Sequence, residues 1–160
     1  MTDVLIRPAV AVDVPAVKGV IDAAFHHYIE RIGLVPSPME GDHAANVAGG
    51  LVFVAEAGGV VRGAVVVLPE ADHLYLDAVA VHPDAQGTGV GRALMAWVEE
   101  RARELGLGEV RLLTNAMMWE NQKLYERYGY EVVERRLDGA YDRVHYRKVL
   151  PEALNSPPMG

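Results

Sequence analysis

From His73 to Leu105 the chain changes character twice within a few residues, and that change limits the fold more than any other feature. "HLYLDAVAVHP" (73–83) is apolar at nearly every position, which describes a strand covered on both faces rather than one with a wet side. "DAQGTGVG" follows, with glycine at the alternate positions 87, 89 and 91. Then Val90, Leu94, Trp97, Val98 and Leu105 recur at helical spacing, and Gly106 ends the helix. A doubly covered strand that feeds straight into a long helix requires layers of both kinds of structure.

The rest of the chain supplies those layers. "VLIRPAV" reads as a short strand. Asp13 is placed as the N-cap of a helix with Pro15 in its first turn and Val17, Val20, Ile21, Ala24 and Phe25 along one stripe, stopped by Gly33. "LVPSPMEGD" is a loop, and "HAANVAGG" adds a helical turn or two. Residues 51–68 are β-branched on both sides of Gly58-Gly59, the signature of a two-residue hairpin. "EVRLLTN" predicts a strand, "WENQKLYERYG" a helix, and "YEVVERRL" with "RVHYRKVL" a closing antiparallel pair through "DGAYD". The order β-α-(α)-β-β-β-α-β-α-β-β predicts an α/β fold with a mixed sheet and helices on both faces. At 160 residues the expectation is one domain over 1–150, followed by a disordered tail over 151–160.

Several chemistries are excluded early. The chain has no cysteine, which removes disulfides, thiolate metal sites and a cysteine nucleophile. Its only serines are Ser37, between two prolines, and Ser156 in the proline-rich tail, so a serine hydrolase lacks a nucleophile. A formal net charge of −7 opposes nucleic acid as a partner. No apolar run reaches the ~20 residues that a membrane span needs. Asp3, Arg7 and Asp13 interrupt any signal-peptide pattern, so a cytoplasmic protein without membrane partners is expected.

The glycine stretch opens a helix, where free backbone N–H groups and the positive dipole end suit a phosphate. A P-loop would place lysine and a hydroxyl after the last glycine, where this chain has Arg92 and Ala93. A dinucleotide fingerprint needs glycine or alanine at position 92. The spacing present is Gln-x-x-Gly-x-Gly, filled by Gln86, Gly89 and Gly91. It resembles the acetyl-CoA pyrophosphate loop of the GCN5-related N-acetyltransferase (GNAT) superfamily. "ENQKLYERYGYEVVE" (120–134) is similar to the second signature of that superfamily, in the right order and one strand later. The resemblance extends from about Leu5 to Leu150 and implies the GNAT fold, a mostly antiparallel twisted sheet flanked by helices on both faces.

The resemblance also implies an activity: an N-acetyltransferase that moves acetyl from acetyl-CoA to a primary amine by direct attack in a ternary complex. A small amine is favoured as acceptor, a protein or peptide amine is the alternative, and a non-catalytic CoA-binding sensor is the rival from another class. By family position, Tyr125 is the general acid for the CoA thiolate, and Val79, Val81, Gln86, Gly87, Thr88, Gly89, Val90, Gly91, Arg92 and Asn121 hold the cosubstrate. Asn121 departs from many members, whose asparagine lies two turns before the tyrosine, where this chain has Met118. Asp77, a carboxylate in an apolar strand on the face of Tyr75 and Val79, is either the general base or a structural acceptor. His73, His26, His27, Glu56 and a water chain are the alternatives for the base. The acceptor pocket is expected from His26, Tyr28, Arg31, Met39 and Asp42, around the loop 30–43. No metal is expected, since the His26/Glu30 pair offers too few ligands. A homodimer is common in the family, and its place would be strands 130–137 and 143–150.

Overall fold

The computed structural model describes residues 3–151. Seven strands form one sheet in the order β1-β2-β3-β4-β5-β7-β6. They are β1 (Val4–Pro8), β2 (Val52–Ala57), β3 (Val60–Pro69), β4 (Leu74–Val81), β5 (Glu109–Asn115), β6 (Glu131–Asp138) and β7 (Tyr141–Val149). The helices are α1 (Val14–Phe25), α2 (Tyr28–Ile32), α3 (His43–Ala48), α4 (Val90–Glu104) and α5 (Trp119–Arg127). All neighbours pair antiparallel except β4 and β5, which are parallel. The expected mixed sheet with helices on both faces is what the chain builds. The tail assigned to 151–160 lies, from residue 152 onward, outside the described residues.

Glycines make the turns. Gly58 and Gly59 take φ of 62° and 78° between β2 and β3, and Gly139 takes 62° between β6 and β7, values that alanine reaches only with strain. Gly63 serves another purpose. A Cβ there would lie 2.8 Å from Leu94 Cδ1 and 3.0 Å from Val90 Cγ1, so its absence lets α4 settle onto β3.

Two apolar cores sandwich the sheet. Leu94, Met95 and Val98 of α4 meet Val65, Leu74, Leu76, Leu112 and Tyr146 on one side. Val17, Ile21 and Phe25 of α1 meet Val54, Val66, Ala78 and Ala80 on the other. Strand β4 serves both, as its unbroken apolar run predicts, but not by strict alternation. Leu74 and Leu76 belong to the first core, Ala78 and Ala80 to the second. The swap happens at Asp77, which the register skips: Val66 pairs with Ala78 and Val67 with Leu76. A one-residue bulge inserts there and turns the strand over. Asp77 therefore does not continue a face shared by Tyr75 and Val79, because Val79 packs with the first core.

Two local expectations change. Asp13 precedes α1, yet its carboxylate makes no capping bond to that helix. It accepts instead from the Val10 amide at 2.7 Å and from both Arg7 terminal nitrogens at 2.7 and 2.9 Å. The helix expected to run on to Gly33 breaks at His26–His27, and Gly33 ends only the short α2, with φ of 78°.

Candidate active site

The parallel pairing of β4 with β5 lasts for three rungs, Leu74 to Val110, Tyr75 to Arg111 and Leu76 to Leu112. Beyond Leu76 the strands part, and β4 continues to Val81 with no strand on that edge among the described residues. The wedge they leave holds two cavities. One, of about 230 Å³, lies between the strands and reaches Asp77, Asn115, Ser37 and Arg143. The other, of about 940 Å³, runs from the wedge to the start of α4. Phe25, Val79, Asn121 and Tyr125 line both, so the two spaces meet at those side chains.

The glycine loop forms the far end of the larger cavity. Gly87 and Gly89 take φ of 79° and 97°, which L side chains rarely adopt. Their turn leaves the amides of Gly87, Gly89, Val90, Gly91 and Arg92 without a backbone carbonyl to donate to, among the described residues. These groups stand at the N-terminus of a 15-residue helix, whose dipole adds positive potential. Gln86, Gly87, Thr88, Gly89, Gly91 and Arg92 all line this cavity, as do Val79 and Val81 from β4. Val90 is the exception among the residues expected to hold the cosubstrate. Its side chain is 1% exposed within the core against Leu94, so only its amide belongs to the loop.

Tyr125 sits on α5 with its ring wedged between Tyr130 and Tyr146, at centroid distances of 6.1 and 5.9 Å. Burial drives its phenol pKa upward, which keeps the proton in place. Among the described residues no protein group bonds its hydroxyl. Asn121, one turn earlier, directs its amide to Met118 Sδ at 3.5 Å. Asp77 lines the smaller cavity, and desolvation alone raises its carboxyl pKa, with no hydrogen bond or ion pair among the described residues to hold it down.

The residues expected for the acceptor pocket divide. Tyr28 and Arg31 reach the larger cavity, where both bond Glu120 Oε2, at 3.0 and 2.9 Å. Arg31 also lies 4.4 Å from the Trp119 ring centroid, closing a strap between α2 and α5. Burial and Glu120 push the Tyr28 hydroxyl up to about 12, while Arg31 holds Glu120 down to about 2. His26, Met39 and Asp42 line neither cavity. His26 is exposed beside the helix break, Met39 packs against the core beneath α1, and Asp42 caps α3 by accepting from the Ala45 amide at 3.0 Å. Of the alternative bases, His73 pairs with Asp72 at 2.7 Å and Glu56 with Arg7 at 2.7 Å, both outside the cavities. His27 reaches only the larger one.

Sequence patterns did not flag Asn115, Tyr141 or Arg143. Asn115 ends β5, buried, with Oδ1 accepting from the Met117 amide at 2.9 Å. Tyr141 and Arg143 look like ordinary β7 residues, and only the sheet order carries Arg143 beside Asn115 of β5, with Tyr141 two residues ahead of it. No group of three potential metal ligands occurs among the described residues. No helix among them is long and apolar enough to cross a membrane.

The family described as "Acetyltransferase (GNAT) domain" matches residues 48–132. N-acetyltransferase family 8 member 2 of Rattus norvegicus is 33% identical over 90 residues, which cover 52% of this chain and 40% of that protein, less than half of its length. Among solved structures, the PaiA N-acetyltransferase from Thermoplasma acidophilum in complex with coenzyme A superposes with a TM-score of 0.80 at 16% identity, over 92% of this chain and 99% of that one. The ribosomal-protein-S18-alanine N-acetyltransferase from Escherichia coli gives 0.73 at 19% identity, over 97% and 99%. The yncA protein from Salmonella typhimurium with its cofactor acetyl-CoA gives 0.71 at 20%, over 98% and 99%. At these identities the structures share the fold.

Proposed function

Because the chain belongs to the GNAT acetyltransferase domain family, we propose that it is an N-acetyltransferase that moves acetyl from acetyl-CoA to a primary amine, with a small amine as acceptor. The observation that carries the reading is the meeting of two cavities at Tyr125 and Val79, one leading from free backbone amides and the other walled by Asp77. The five unpaired amides at the head of α4 suit a pyrophosphate, and the open edge of β4 suits an extended arm that pairs like an added strand. Arg92 adds a positive charge at the mouth.

Acetyl-CoA supplies the activated acyl group as a thioester. Asp77 takes a proton from the ammonium of the acceptor, so that the nitrogen lone pair is free to form the new C–N bond. Val79 lines the cavity on the open edge of β4, and its amide is assigned to donate to the carbonyl oxygen as that oxygen gains charge. As the C–S bond breaks, its electron pair leaves on sulfur, and Tyr125 gives that sulfur a proton. The proton shed by the new amide nitrogen restores the phenol, and Asp77 passes its own proton to water, so one proton is released per turnover. Both partners are bound together, and no covalent enzyme intermediate is needed in a chain without cysteine. The same reading puts a homodimer contact on β6, the edge strand, where Val132, Val133 and Leu137 are exposed.

Tyr125→Phe tests the reading in a thiol-release assay with acetyl-CoA and an amine panel. General-acid loss should lower kcat by about 10²- to 10⁴-fold with CoA affinity retained. Binding of CoA by the wild type without turnover of any amine would favour a sensor instead. Absence of CoA binding would overturn the assignment of the loop.

A further inference from the structure

The smaller cavity carries opposite charges on its two walls. Asp77 stands on β4, with its carboxylate unpaired among the described residues. Arg143 stands on β7, where the register sets it opposite Asn115, the last residue of β5, at the open end of the wedge. The guanidinium is ion-paired on one side and positioned by two further contacts. Nη2 donates to Ser37 Oγ at 2.9 Å, Nη1 reaches Asp138 Oδ2 at a longer 3.3 Å, and Cζ lies 4.8 Å from the Tyr141 ring centroid. Asp138 is shared with Arg136, whose Nε donates to it at 3.1 Å while its Nη1 donates to Glu134 at 3.2 Å. A guanidinium has about five N–H donors, and the contacts to Ser37 and Asp138 occupy only some of them. The side chain is 22% exposed and lines the cavity.

Size and cover narrow the ligand further. A volume of about 230 Å³ lies below the roughly 300 Å³ at which pockets for drug-sized molecules begin. Pro36, Ser37 and Pro38 form one wall, and that segment is fastened to β7 twice, through Arg143 and through the Tyr141 hydroxyl, which donates to the Val35 carbonyl at 2.8 Å. A second ammonium on the acceptor would meet Arg143 as a like charge. An uncharged amine would desolvate the guanidinium without compensation.

We propose that the acceptor is a free amino acid or similar small molecule that carries both a primary amine and a carboxylate, with the amine directed to Asp77 and the carboxylate to Arg143. This rests on the acetyl-transfer reading and specifies its substrate class. The product is the corresponding N-acetyl amino acid, with the protons routed as above.

The test compares matched acceptors in a thiol-release assay with the full chain: leucine against isopentylamine, 4-aminobutyrate against propylamine, and beside them a diamine and a short neutral peptide. At least one carboxylated member should exceed its carboxylate-free partner in kcat/KM by about 10- to 100-fold, mostly through KM, as a charge-assisted contact requires. Arg143→Gln should erase that ratio by raising KM for the amino acid alone, and Arg143→Lys should restore part of it. Equal or better use of the carboxylate-free amines, or of the diamine or peptide, would overturn the proposal while leaving acetyl transfer intact. A ratio that survives Arg143→Gln would overturn the role given to Arg143. Should that variant not fold, the wild-type ratios still decide. CoA binding without thiol release in the presence of any of these amines would remove the acetyl-transfer reading and this one with it, and the two failures are thus distinguishable.

Discussion

Replacing Gly91 by alanine separates what the fold needs from what a ligand needs. Gly91 has no positive φ, and a Cβ built on it meets only Val81 Cγ2, at an ordinary 3.5 Å. Nothing in the protein asks for glycine there. At a compatible backbone position, alanine gains about 0.4–1 kcal/mol by restricting the unfolded chain. For a chain of this size that raises Tm by about 1–4 °C. The same methyl would stand in the larger cavity, across the approach to the amides of Gly91 and Arg92. Loss of one charge-assisted amide contact costs about 1.5–3 kcal/mol, or roughly 10- to 150-fold in Kd. Thermal unfolding of the free protein and calorimetric titration with CoA read the two effects separately. A variant that unfolds at or above the wild-type temperature and binds CoA weakly is the expected result. Unchanged CoA affinity would refute the reasoning, because the glycine would then not be keeping space clear for a phosphate. Gly89→Ala is the counterpart: with φ of 97° it should lose about 1–2 kcal/mol in the free protein as well.

Asp77→Asn should lower kcat/KM and remove the acid limb of its pH profile, which for the wild type lies above the ordinary carboxyl value of 3.8. Because the folded state raises this pKa, the wild type loses stability as pH climbs through it, so the asparagine variant should unfold at a higher temperature at pH 7. Gly63→Ala should cost about 1–3 kcal/mol in chemical denaturation, since its Cβ would meet Leu94 at 2.8 Å and the Ala80 carbonyl at 3.2 Å. Asp13→Ala should cost about 1–3 kcal/mol by stranding Arg7 and the Val10 amide, with CoA affinity unchanged. The folded state lowers the Asp13 pKa from 3.8 to about 2, so its contribution is present above 3.8 and fades as pH falls towards 2. The acid-induced drop in wild-type Tm should therefore shrink in this variant.

The sequence made the elements legible where local chemistry decides them. Gly58-Gly59 permits little besides a tight hairpin, and the glycine loop after an apolar strand announces both a turn and a helix start. What it left hidden depends on register and on distant partners. Asp13 has the composition of an N-cap, but Arg7 and Glu56 on neighbouring strands draw it into an ion-pair cluster. His26, Met39 and Asp42 lie in a segment of the right kind, yet Pro36, Ser37 and Pro38 are the part of it that lines the cavity, where Tyr141 and Arg143 of β7 bond Val35 and Ser37. Arg143 is invisible to any local pattern, because its place at the site follows from β7 pairing with β5 across the sheet order.

Strand β4 is where fold and chemistry become one problem. Its pairing with β5 stops at Leu76, the next residue is a bulge, and Ala78 to Val81 keep β3 on one edge only. Backbone N–H and C=O groups on the other edge then need partners, which an extended ligand or water must supply. The bulge adds a second effect, since inserting one residue exchanges the faces of the strand. Leu76 can fill one core while Ala78 fills the other, and Asp77 is left with no core to enter. A regular strand would have sent position 77 along with its alternating neighbours. The irregularity therefore leaves a partly desolvated but still accessible carboxylate at the wedge and an unpaired strand edge beyond it, side by side, and the glycine loop follows where that strand ends.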